Sequence, residues 1–225
     1  MKTLFPLLFL LNMVAFSQEP SLSKTNKLSL ALKVGTTGIS PEFSYKLKNK
    51  INLRASISLF DYKRNDIISF DQGKDIEEGK VQYDAKLKLG NVGVLVDYFP
   101  FRKLLALNLG VFYNMNAADV SLLPKSNLKF NDRIFTPEET GTLGLKVNYQ
   151  KIAPYAGISL GNPNNGNFRV LFDFGFLYTG SPLITMQGSG SIEPTAEQAP
   201  QLQTNLKPLY LYPVIKLGFS YRILK

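Results

Sequence analysis

Twelve charged side chains sit at alternate positions within stretches whose other face is apolar: Lys33, Glu42, Lys46, Arg54, Asp84, Lys86, Lys88, Asp97, Arg169, Asp173, Lys216 and Arg222. Eight are basic and four acidic. Successive strand side chains point to opposite faces, so each of these charges stands opposite a greasy face. Two chemistries fit. The charges can fill an interior as a salt-bridge network, because buried charges need partners. Alternatively they line a passage and select a solute by charge. The surplus of basic over acidic groups calls for water, loop carboxylates or an anion.

Catalysis is not indicated. The chain has no His and no Cys. That removes the His base beside a Ser or Asp and the usual zinc and transition-metal sites. It also removes any disulfide framework. Asp71, Asp75, Glu77 and Glu78 offer oxygen ligands for Ca²⁺, but their spacing matches no calcium-loop motif. They read as a solvated loop, as do Glu138 and Glu139. Gly188-Ser189-Gly190-Ser191 lacks the strand–helix context of a phosphate cradle and reads as flexible loop. The chain reads as non-enzymatic, with no cofactor.

The elements that position the charges are strands. Asn167–Thr179 is the clearest: Phe168, Val170, Phe172, Phe174, Phe176 and Tyr178 share one face, with Arg169, Asp173 and Gly175 on the other. The same alternation recurs over residues 27–34, 41–47, 51–59, 81–99, 105–115, 143–158 and 211–223, which makes eight strands. The apolar phase slips at Gly90-Asn91, as a β-bulge would make it, and again near Lys151. Alternation is lost near 61–79, 117–140 and 181–208, which read as long loops after strands three, five and seven. Connections after strands two, four and six are short. Asn162-Pro163-Asn164-Asn165-Gly166 is turn-forming in every residue. Short turns at one end and long loops at the other, with one apolar and one polar strand face, describe an eight-stranded antiparallel transmembrane up-and-down β-barrel. A soluble sandwich would have shorter strands and no such rule of loop length.

Residues 1–17 read as a cleaved signal peptide. Lys2 is the basic start, Leu4–Leu11 is almost wholly apolar, and Ala15-Phe16-Ser17 precedes a cut at Gln18. A short segment, 18–26, leads to the barrel, 27–225. The formal net charge is +9, but its basic residues are interleaved along strands, and an exported chain meets no nucleic acid. The expected surroundings are outer-membrane lipid and lipopolysaccharide, around a monomer, with a small-molecule solute as the expected ligand. The expected location is the bacterial outer membrane.

Three segments carry a resemblance. Val34-Gly35-Thr36-Thr37-Gly38 closes strand one. Ile152-Ala153-Pro154-Tyr155-Ala156-Gly157 leads to Phe174-Gly175-Phe176-Leu177-Tyr178-Thr179-Gly180-Ser181-Pro182. Tyr212-Pro213-Val214-Ile215-Lys216-Leu217-Gly218 lies in strand eight. Together they resemble the carbapenem-associated, or ornithine-uptake (CarO-type), outer-membrane protein family. The resemblance implies an eight-stranded barrel that takes up small, particularly basic, amino acids. The function expected from the sequence is therefore small-solute passage through a charged narrow lumen. A non-conducting structural or adhesion barrel that acts through its loops is the alternative.

Overall fold

The structure is a computed structural model that describes residues 28–72, 77–101, 104–130 and 133–224. The expected signal peptide and the segment 18–26 lie outside these residues, as do Asp75, Arg102 and Lys103. In chain order the strands are β1 (Leu28–Gly35), β2 (Gly38–Lys48), β3 (Ile51–Phe70), β4 (Gly79–Phe101), β5 (Leu105–Asn114), β6 (Ala117–Pro124), β7 (Leu128–Phe130), β8 (Arg133–Phe135), β9 (Leu143–Asn148), β10 (Ile152–Leu160), β11 (Phe168–Tyr178), β12 (Leu183–Gly188) and β13 (Leu211–Leu224).

Eight of them close a ring in the order β1-β2-β3-β4-β5-β10-β11-β13, each antiparallel to the next, with β13 returning to pair with β1. Closure leaves the ring no free edge. The outward residues form an exposed apolar band: Leu32, Val34, Ile57, Val94, Leu109 and Phe219 are typical. Aromatic residues flank the band, with Phe101, Phe168 and Tyr221 at one end and Tyr113, Tyr178 and Tyr210 at the other. This is the lipid-facing girdle of a membrane barrel. The chain is an eight-stranded antiparallel up-and-down barrel of the outer-membrane type. Its short turns, 49–50 and 161–167, and the β4–β5 junction lie at one end, called here the turn end. The insertions lie at the other.

Three regions read as loops are largely structured. β3 runs on to Phe70 and β4 begins at Gly79, so the ladder continues unbroken from Ile51↔Tyr98 to Phe70↔Gly79. There is no bulge at Gly90-Asn91. Instead the apolar face changes sides. Below Gly90 the outward residues Val92, Val94 and Val96 meet lipid. Above it the outward residues Asp61, Lys63, Asn65 and Ser69 on β3, and Lys86 and Lys88 on β4, are polar. The inward ones, Phe60, Tyr62, Ile68, Phe70, Leu87 and Leu89, are apolar; the exceptions on β3 are the inward Arg64 and Asp66 and the outward Ile67. A strand that leaves the bilayer no longer needs a greasy outer face, so the pattern inverts without any slip of register.

The risen parts of β3 and β4 join β6, β9 and β12 in a five-stranded sheet beyond the barrel rim. Segment 117–140 thus supplies β6, the β7–β8 hairpin and a helical turn, Pro137–Thr140, closed by a capping box between Thr136 and Glu139. Segment 181–208 supplies β12, a 3₁₀ stretch (Gly190–Gln198) and a helix (Ala199–Leu206) packed on β12. Gly188–Ser191, expected to be loose, is docked. The Ser189 amide donates to the Thr142 carbonyl, and Gly190 at φ 62 lies where a side chain would strike the Glu139 carbonyl.

Candidate functional site

The twelve charged residues separate into three groups. Six converge in the barrel centre: Lys33, Glu42, Arg54, Asp97, Asp173 and Lys216, all almost fully buried. Each sits on the inward face of β1, β2, β3, β4, β11 or β13, so one residue per strand meets its partners across the lumen. Arg54 is the hub. Its Nη1 donates to Glu42 Oε2 at 3.0 Å and to Asp173 Oδ2 at 2.9 Å, and its Nη2 to Asp97 Oδ1 at 3.0 Å. Lys33 Nζ lies 2.7 Å from Glu42 Oε2 and 2.6 Å from Asp173 Oδ2. Lys216 Nζ reaches Glu42 Oε1 at 3.5 Å and Ser58 Oγ at 3.0 Å. Ser56 donates to Glu42, Asn108 to Asp97 and Ser159 to Asp173.

This centre holds three cations and three carboxylates, so its formal charge is zero. The basic surplus expected of the lumen is not in it. On the outward face of the risen sheet Lys86 and Lys88 are exposed and Asp84 is half-buried, opposite Lys63, Asp61 and Asn65 of β3 respectively. All three stand outside the lumen, because β4 is already above the rim where they occur. Arg64 and Asp66, on the inner side of the same sheet, pair at 3.1 Å, and that hydrogen bond holds the Asp66 carboxyl below the usual carboxylate range. Lys46, Arg169 and Arg222 lie at the turn end, away from the central network.

Above the network, toward the insertions, an apolar layer crosses half of the lumen: Leu95, Phe112, Ala153, Tyr155, Leu177 and Val214. Phe112 and Tyr155 meet edge to face at 5.8 Å. Tyr155 fits because Gly157 and Gly175 are direct cross-strand partners and a Cβ on either would stand 2.5 Å from its hydroxyl. The other half is lined by Thr37, Ser40, Ser58 and Asn91, with Ser40 and Ser58 bonded at 2.8 Å. Between these layers the space left is about 10 Å³. That is about what one water centre needs.

Below the network the 161–167 turn folds into the barrel mouth. Ser29 Oγ lies 2.8 Å from both the Pro163 carbonyl and Asn164 Oδ1. Asn164 Nδ2 donates to Ser44 Oγ at 2.9 Å, and Asn52 Nδ2 to Asn162 Oδ1 at 3.1 Å. This plug was not readable from the sequence. Its turn-forming residues gave the bend, but nothing in them said which way it would fold. The lumen is thus filled in three layers: an asparagine turn, an ion-pair network and an apolar cluster. Among the described residues no group of acidic residues is arranged to hold a metal ion.

The same architecture occurs in crystal structures of two Acinetobacter baumannii proteins. CarO2 superposes with a TM-score of 0.57 at 17% identity, covering 89% of this chain and 100% of its own. CarO superposes with a TM-score of 0.55 at 19% identity, covering 90% of this chain and 100% of its own. The fold is that of the CarO barrel. No protein-family model and no curated protein matches the sequence. The three segments that carried the resemblance lie where this fold is most constrained. Tyr155, Gly157 and Gly175 build the apolar layer, Lys216 joins the network, and Thr36 caps the β1–β2 turn by accepting from the Ile215 amide and donating to the Pro213 carbonyl.

Proposed function

We propose that this protein is a non-conducting outer-membrane barrel whose sealed body anchors a sheet-built surface domain, and that the surface domain does its work. The observation that carries this reading is the Arg54-centred network. It spans the lumen with every carboxylate paired, and the pocket between it and the apolar layer has room for about one water centre. An eight-stranded barrel has an interior just wide enough for side chains to fill. A passage for an amino acid would require several of these buried ion pairs to part together, which is costly. The long risen sheet, by contrast, presents charged rows on one face and part-exposed Tyr62, Ile68 and Phe70 on the other. Loops and insertions held on a rigid scaffold are common carriers of function. The ring closes on itself, which favours a monomer surrounded by lipid and lipopolysaccharide.

Liposome swelling with purified, refolded protein tests the proposal against solute passage. The osmolytes are glycine, ornithine, glutamate and a neutral sugar, beside protein-free vesicles. A sealed barrel gives protein-free rates for all four, with folding verified by heat-shifted gel mobility. Swelling that depends on solute charge supports passage instead.

A further inference from the structure

Every cation in the barrel centre has a carboxylate partner, but among the described residues Arg169 and Arg222 at the turn end have none. Arg169 on β11 and Arg222 on β13 both face inward. Arg169 pairs in register with Ser220, and the Arg222 amide donates to the Asn167 carbonyl at 3.1 Å. They are therefore diagonal neighbours on adjacent strands, about 7–8 Å apart at their backbones. Arg169 is only 9% exposed, and Arg222 is half-buried. No carboxylate among the described residues lies within ion-pair distance of either. Arg169 Nε donates to the Asn165 carbonyl, and Arg222 Nη1 donates to Asn167 Oδ1 at 2.9 Å. The buried Arg222 Nε has no hydrogen-bond partner among the described residues. Lys46, inward on β2, adds a third cation to the same rim.

Two like charges held side by side without a counter-charge raise the energy of the folded state, and an unsatisfied buried donor raises it further. The geometry is nonetheless built rather than accidental. Gly166, at φ 118, lies against the Arg169 guanidinium, where any Cβ would stand 2.4 Å from Nη2. The turn that plugs the mouth is thus wrapped around this arginine. Guanidinium forks are the side chains best matched to a tetrahedral oxyanion, and two of them on adjacent strands match its double charge.

We propose that Arg169 and Arg222 form a binding site for a phosphate group at the turn-end mouth of the barrel. The group is either free phosphate or the headgroup of a lipid whose phosphate leans over the rim. The stacked Phe168–Phe219 pair at 5.3 Å lies on the lipid side of the same strands, next to Arg169 in sequence. Aromatic residues at this level mark headgroup depth.

The test is equilibrium binding of inorganic phosphate to the folded protein in a non-ionic detergent, with retention of phosphatidic acid from phosphatidylcholine vesicles measured in parallel. The variant is Arg222→Gln, which leaves the Arg169–Asn165 contact of the plug in place. The Arg222→Lys variant checks whether charge alone suffices. Heat-shifted gel mobility confirms folding in each case. The site predicts saturable binding of one phosphate, weakened about tenfold or more by Arg222→Gln and only partly restored by Arg222→Lys. Retention of phosphatidic acid that requires Arg222, without binding of inorganic phosphate, also supports the site and assigns it to lipid. Folded wild-type protein that binds neither probe, or an Arg222→Gln variant that binds as well as wild type, overturns it.

Discussion

Arg54 and Asp173 are 119 residues apart in the chain and 2.9 Å apart in the lumen, Nη1 to Oδ2. The contact joins β3 to β11, strands that are not neighbours in the ring. With Glu42 and Asp97 on the same guanidinium, it ties three other strands, β2, β4 and β11, to one side chain of β3. Such a tie crosses the lumen and fixes its cross-section.

Removing the hub should therefore cost far more than removing an outlying member. Arg54→Ala leaves three buried carboxylates short of a cation and should destabilise the barrel by about 3–5 kcal/mol. Lys216→Met leaves Glu42 still paired with Lys33 and Arg54, and should cost about 1 kcal/mol. Urea unfolding of the lipid-reconstituted protein, followed by gel mobility, measures both. Equal costs would show that Arg54 is not the hub.

The seal should also be visible to a chemical probe. The chain has no Cys, so a single introduced thiol reports alone. Ser58→Cys, fully buried beside Lys216, should resist a charged methanethiosulfonate reagent in the folded protein. Tyr62→Cys, on the same face of β3 but above the rim and 49% exposed, should react readily. Comparable rates at the two positions would mean that water and ions reach the lumen.

Gly175 is a packing requirement. Its Cβ would meet the Tyr155 hydroxyl at 2.5 Å and the Ala156 carbonyl at 2.6 Å. Gly175→Ala should destabilise by about 1–3 kcal/mol through overpacking. Gly144, in the risen sheet, has only the Gln187 carbonyl nearby, at 3.8 Å, and Gly144→Ala should stay within about 0.5 kcal/mol. The same unfolding assay compares them.

The proposed function puts the seal in the barrel, not in the insertions. Joining Asn116 to Tyr149, with residues 117–148 deleted, keeps the β5–β10 ladder from Leu105↔Leu160 to Tyr113↔Ile152. The shortened chain should fold, show the heat shift and remain impermeable to glycine. Permeability gained on deletion would locate the closure in the insertions instead.

The sequence made the ring plain and the insertions obscure, for one reason. Lipid imposes a single rule on the outer face of β1, β2, β5, β11 and β13, so their alternation reads directly as strand. Above the rim that rule lapses. The polar outer face of Asp61, Lys63 and Asn65 looks like a loop when only lipid-facing strands are sought, and the inversion at Gly90 looks like a bulge. The central charges were legible because Lys33, Glu42, Arg54, Asp97, Asp173 and Lys216 keep the inward phase of well-patterned strands. Asp84, Lys86 and Lys88 keep an equally regular phase but lie beyond the membrane, where alternation alone does not tell inside from outside. The inward fold of the 161–167 turn depends on long-range bonds to Ser29, Ser44 and Asn52, which no local pattern encodes.

Single-channel recording in planar bilayers is the most direct test of the closed lumen. Folded wild-type protein is inserted from dilute detergent, with insertion verified by recovery of heat-shifted protein from the bilayer lipid. The ion-pair seal predicts a current indistinguishable from the bare bilayer in potassium chloride at either polarity. Reproducible open steps, carried by the wild-type protein and altered by Arg54→Ala, would contradict it and place solute passage through the lumen.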